Sequence, residues 1–68
     1  MAILKVIEIM ASSPKSWEEA ASNAVKEASA TLKGIRSVYV KEHSAAVENG
    51  KITEYRVTTK ITFAIERK

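Results

Sequence analysis

The chain has 68 residues, 46% of them hydrophobic and 28% charged, with a net charge of +3, no cysteine, two glycines and one proline. That length allows one domain. The ordinary apolar fraction and small net charge exclude disorder, and the missing cysteine excludes disulfides and thiolate metal sites.

Residues 2–10 read as a strand: Ile3, Leu4, Val6, Ile7 and Ile9 are apolar and mostly β-branched, with no helical period. A helix is predicted over 14–32. Two starts fit it, Ser13 before Pro14 as N-cap and first helical residue, or Ser16 with Glu19 as a capping box. Glu18 and Glu19 suit the positive end of the helix dipole. Trp17, Ala20, Ala21, Ala24, Val25, Ala28 and Leu32 form an i, i+3, i+4 stripe, and Gly34 fits a C-terminal cap.

Strands are predicted over 35–48 and 51–67, joined at Asn49-Gly50, a pair that accepts the positive φ angles of a tight hairpin. In the last strand Thr53, Tyr55, Val57, Thr59, Ile61, Phe63 and Ile65 fall on one face, with Glu54, Arg56, Thr58, Lys60, Thr62 and Glu66 on the other. In the middle strand Val38 and Val40 oppose Ser37, Tyr39, Lys41 and His43. The expectation is one α+β domain spanning 1–68: a β-α-β-β subunit with a three-stranded antiparallel sheet packed on one helix.

The helix stripe is mostly alanine, and a lone core in a chain this short supplies only a few kcal/mol. A compact fold of this length has a radius of gyration of about 11 Å, hence a diameter near 28 Å, whereas a 14-residue strand extends roughly 46 Å. The hairpin must therefore curl or project, and a projecting hairpin offers unpaired edges to other subunits. Both features point to a closed homo-oligomer.

Signals for catalysis are weak. There is no Asp, and His43 has only Glu42 beside it, on the opposite strand face, as an orienting carboxylate. A non-enzymatic protein is expected. Charges of both signs alternate (Lys41 beside Glu42, Glu66 beside Arg67), which reads as a solvated surface rather than a nucleic-acid stripe. No apolar run approaches the roughly 20 residues of a membrane helix. The opening MAILKVIEIM lacks the features of a secretory leader, so the expected location is cytoplasmic.

The β-α-β-β order and the strings KVIEIMASSPKSWEEAASNAV, TLKGIRSVYVKE and ITEYRVTTKITFAI resemble the dodecin family over nearly the whole chain. The resemblance implies a hollow homododecamer of 23 symmetry that stores or sequesters small ligands. In flavin-binding members, FMN, riboflavin or lumichrome stacks between tryptophans of the middle strand, and a glutamine of the last strand binds the isoalloxazine edge. Some members bind coenzyme A. Here the tryptophan position falls on Ser37 and the glutamine position on Arg56. Serine has no π-face, and stacking contributes roughly 1–3 kcal/mol per ring. Arginine donates but cannot accept.

The resemblance therefore implies a binding or storage assembly whose flavin site is degraded. Its pocket positions are Ser37, Arg56, Tyr39, Lys41 and Arg36, whose positive charge would suit an anionic ligand. The alternative is a metal-binding cage, for example for calcium, or a purely structural one. Symmetry could gather single oxygens, such as those of Glu48 beside the turn, around a hard cation.

Overall fold

The computed structural model describes residues 3–65. Its elements are β1 (Leu4–Ser13), α1 (Trp17–Ser29), β2 (Ile35–Glu48) and β3 (Lys51–Ala64). The sheet is antiparallel with order β1-β3-β2, so the last strand is central. The β-α-β-β order, the single helix and the three-stranded antiparallel sheet are those expected from sequence.

Boundaries shift for local reasons. β1 runs three residues past the predicted 2–10, ending at Ser13, which pairs with Tyr55. The predicted ends at Ala2 and at Glu66–Arg67 lie outside the described residues. The helix is shorter than 14–32. Ser16 is its N-cap, with Oγ accepting the Glu19 N–H at 3.0 Å. Ser13 serves the preceding turn instead: its buried hydroxyl accepts the Lys15 N–H at 2.9 Å and donates to the Glu19 carboxylate. Helical φ/ψ ends at Ala30, and the N–H groups of Thr31 and Leu32 both return to the Ala28 carbonyl, which closes the helix before Leu32. Gly34 then takes φ 75°.

The core is thin. Its buried apolar residues are Ala20, Ala24, Ala28, Val57, Ile61 and Ala64. Three alanines spaced four apart let α1 sit close to the sheet, and Ile61 fills the contact with Ala24 and Ala28. Thr59 is also fully buried, and its hydroxyl donates to the Ile9 carbonyl at 2.8 Å, which satisfies it. The molecule measures 54 × 19 × 13 Å with a radius of gyration of 14.1 Å. It is far longer than a compact chain of its length. The excess is the β2–β3 ribbon: β1 ends at the Ser13–Tyr55 level, and the ribbon continues two-stranded to the turn. There Asn49 (φ 52°) and Gly50 (φ 76°) both occupy the left-handed region.

Register shifts between Ile35 and Ser37, between Val40 and Glu42, and between Ala46 and Val47 mark three bulges. Each inserts one extra residue and reverses the facing of the residues beyond it. The bulge at Lys41 turns His43 to the helix side, opposite Val57, where simple alternation placed it on the outer side. The bulge at Thr53 removes that residue from the helix-facing row. At the other end Ala64, not Phe63 or Ile65, is the buried residue, because its N–H donates to the Gly34 carbonyl at 2.9 Å and the loop covers it.

Candidate functional site: the outer face of the sheet

The sheet face turned away from α1 is open. Its rungs, read β1–β3–β2, are Val6–Thr62–Ser37, Glu8–Lys60–Tyr39, Met10–Thr58–Glu42 and Ser12–Arg56–Ser44. Residues alternate along each strand, so these side chains share one surface. Apolar groups are left bare there, with Met10 72% and Tyr39 63% exposed.

Ser37, Tyr39 and Arg56 lie on this face, as expected. Within one chain they do not converge. Ser37 pairs with Thr62 and Arg56 lies six residues further along β3, roughly 20 Å at strand spacing. Arg36 and Lys41 are the bulge residues of β2 rather than members of its regular alternation. Tyr39 is the aromatic residue of this face, two positions from Ser37 along the same strand.

Two ionic contacts organise the face. Lys41 Nζ reaches Glu8 Oε2 at 3.1 Å, from one edge strand to the other across the central one. The hydrogen bond and charge of Lys41 hold the Glu8 carboxyl below the usual carboxylate range, and Glu8 raises the Lys41 amine in return. Two rungs along the sheet towards the turn, the Ser12 hydroxyl donates to Glu54 at 3.1 Å, and Glu54 lies 3.7 Å from Arg56 Nε. A shallow open depression of about 140 Å³ lies here, lined by Met10, Ala11, Ser12 and Arg56. Two of the three cations expected to attract an anionic ligand thus already have an intramolecular carboxylate.

The Glu54–Arg56 contact joins neighbours on one face of β3 and is legible in the sequence; the Glu8–Lys41 contact is not. β1 and β2 exchange no backbone bonds, and only the placing of β3 between them brings Glu8 within reach of Lys41.

On the other face, at the root of the projecting ribbon, the Trp17 ring meets Tyr55 at 4.7 Å between centroids and His43 at 5.9 Å, both edge to face. Trp17 Nε1–H donates to the Ser44 carbonyl at 2.8 Å. Trp17 therefore closes the apolar stripe by capping the ribbon rather than by entering the core.

Among the described residues no group of three or more His, Cys, Asp or Glu could hold a metal ion, and no helix is long and apolar enough to cross a membrane. A family model described as Dodecin matches residues 3–66. The chain belongs to the dodecin family. The calcium dodecin of Mycobacterium tuberculosis is 44% identical over 64 residues, covering 93% of this chain and 89% of that protein. Its crystal structure, described as that of a calcium-chelating immunodominant antigen with a novel calcium-binding site, superposes with a TM-score of 0.81 at 40% identity, covering 94% of this chain and 91% of that one. The dodecin of Streptomyces coelicolor superposes at 0.92 with 28% identity, covering 98% and 96%. An arginine-to-alanine variant of the Thermus thermophilus dodecin superposes at 0.94 with 26% identity over the whole of both chains. Dodecin membership accounts for the long hairpin and the thin core together, as a subunit shape shared with these structures.

Proposed function

We propose that this dodecin-family chain is a non-enzymatic, self-assembling ligand-binding protein that works as a closed homododecamer, with its ligand site completed between copies. The observation that carries the reading is the separation of surface from core. Four of the six buried apolar residues are alanines, while Leu4, Val6, Met10, Tyr39, Val47 and Ile52 stay exposed. A chain that buries so little by itself gains its remaining burial from neighbours.

The ligand is not a stacked flavin. Ser37 supplies no ring, and Arg56 is occupied by Glu54. A hard cation is the second reading, favoured by the 44% identity to a protein named for calcium. Calcium needs six to eight oxygens, and one chain does not gather them. Glu8 and Glu54 already face cations. Among the described residues of the sheet, the carboxylates left for a shared site are Glu42, beside Thr58 on the outer face, and Glu48, beside the Asn49-Gly50 turn. Each would need its copies brought together.

The test combines light scattering, an absorbance scan and calorimetry with FMN, riboflavin, lumichrome, coenzyme A and Ca²⁺. Twelve chains of 7.5 kDa give a particle of about 90 kDa. Saturable Ca²⁺ heat without flavin bands supports the cation reading. A yellow preparation overturns the exclusion of flavin. A 7.5 kDa monomer overturns the whole proposal.

A further inference from the structure

The β2–β3 ribbon projects past the end of β1, and its underside, the side it shares with α1, is apolar. Two rungs lie there, Ala45–Tyr55 and Val47–Ile52. Val47 is 62% exposed, Ile52 is exposed as well, and Trp17 borders the patch at the ribbon root with its ring against Tyr55. Because β1 ends at Ser13, the backbone edge of β3 from Lys51 to Glu54 has no strand beside it. A second apolar patch lies at the far end of the molecule. There the Ile65 N–H donates to the Ile3 carbonyl at 2.9 Å, and Ile3, Leu4 and Ile65 are all exposed.

The two ends differ in charge. From the Met10–Thr58–Glu42 rung to the turn, Glu18, Glu19, Glu42, Glu48 and Glu54 outnumber Lys15, Lys51 and Arg56 among the described residues, a net −2. Towards the other end Lys5, Lys33, Arg36, Lys41 and Lys60 face only Glu8, a net +4, while Lys26 and Glu27 of α1 cancel.

We propose that the underside of the ribbon docks on the Ile3–Leu4–Ile65 end of a second copy of this chain, turn end to sheet end. This docking rests on the self-assembly proposed above. One chain cannot join its own two patches: Ile52 and the Leu4 partner Ala64 are twelve residues apart on β3, roughly 40 Å at strand spacing. Both patches are apolar, so contact removes Val47, Ile52 and Leu4 from water, each side chain strengthening association roughly 10- to 100-fold. The opposite net charges select this orientation over turn end against turn end. Such a contact joins unlike surfaces, so it repeats from chain to chain and closes as a ring when the rotation allows. It leaves the outer face, with Met10 and Tyr39, uncovered for a ligand.

The chain has no cysteine and one tryptophan, so both ends can be reported on separately. Leu4 and Ile52 are exposed, so changes there spare the subunit core. The intact double variant L4C/I52C, treated with a short bis-maleimide, should give a ladder of linked chains on a denaturing gel, while L4C and I52C alone should stay single. L4K should weaken the contact about 10-fold or more. It should also red-shift Trp17 emission and increase its quenching by acrylamide, although within one chain Leu4 lies eight residues along β1 from Ser12, beside the ribbon root, roughly 26 Å away. Three results overturn the docking while self-assembly stands: no ladder from a double variant that light scattering shows to be assembled, single variants that link as readily as the double, or Trp17 emission unmoved by L4K. A monomeric native chain overturns the assembly reading itself, and the docking with it.

Discussion

Ile61 is the side chain on which the core most depends. It is fully buried, sits on the central strand, and meets Ala24 and Ala28 across the helix–sheet interface, with Ile7, Ile9, Leu32 and Ile35 around it. Ile61→Ala removes three carbons, about 2.4 kcal/mol of transfer free energy at roughly 0.8 kcal/mol each. A cavity penalty adds to this, and the observed range for such changes is about 2–5 kcal/mol. Here the value should fall at about 3–4 kcal/mol, because the facing alanines have no rotamers with which to fill the hole. That is comparable to all a lone core of this size supplies, so the variant subunit should not persist outside an assembly. Ile61→Val, which leaves a smaller hole, should cost about 0.5–1.5 kcal/mol. Urea denaturation at several protein concentrations separates the subunit's loss from the mass-action contribution of association. A loss below about 1 kcal/mol for Ile61→Ala, or a larger loss for the valine variant than for the alanine variant, would refute the assignment of the core to this contact.

Other expectations concern the loops and the outer face. Because Glu8 is lowered and Lys41 raised, the pair's contribution is fully present between the ordinary values of 4.5 and 10.5. It is lost as pH falls through the lowered carboxyl or climbs through the raised amine. E8Q should be slightly less stable than the native chain at pH 7, with the gap closing as pH falls below 4.5, read from thermal melts across pH; a constant difference would contradict the pairing. Gly34→Ala should destabilise more than Gly50→Ala: both need positive φ, costing about 1–2 kcal/mol, but only at Gly34 would the new Cβ meet a backbone oxygen, that of Ala64 at 3.2 Å. Paired melting curves decide it, and equal losses would count against that close approach. Ser37→Trp restores a stacking face and should raise riboflavin affinity about 10- to 100-fold per face stacked, measured by quenching of riboflavin fluorescence. An assembled variant with no gain would remove Ser37 from the pocket.

Much of the fold is legible in the residues because it rests on local rules. Asn49-Gly50 gives the turn, since its left-handed angles are cheap for those two residues. The alternation from Tyr55 to Ile61 marks β3 as a strand with one covered face. The alanine stripe marks a helix that sits close to the sheet and buries little. The overlong hairpin and small core already demand partners, and the dodecin resemblance rests on strings that span the chain.

Other features depend on contacts between residues distant in sequence. The helix start is ambiguous in the sequence because both serines satisfy the local rule; Ser13 is excluded only by its pairing with Tyr55, which keeps it in β1. His43 changes faces because a bulge at Lys41 adds one residue to the strand, and no composition signal marks where a bulge will fall. The Glu8–Lys41 pair exists only because β3 lies between the two strands that carry it. The candidate pocket is the extreme case: Ser37 and Arg56 share a face yet stand roughly 20 Å apart along the sheet, so a site containing both can be built only across chains. Local preference determined which elements form and how much they can bury; pairing order and register, which depend on long-range contacts, decided which side chains meet.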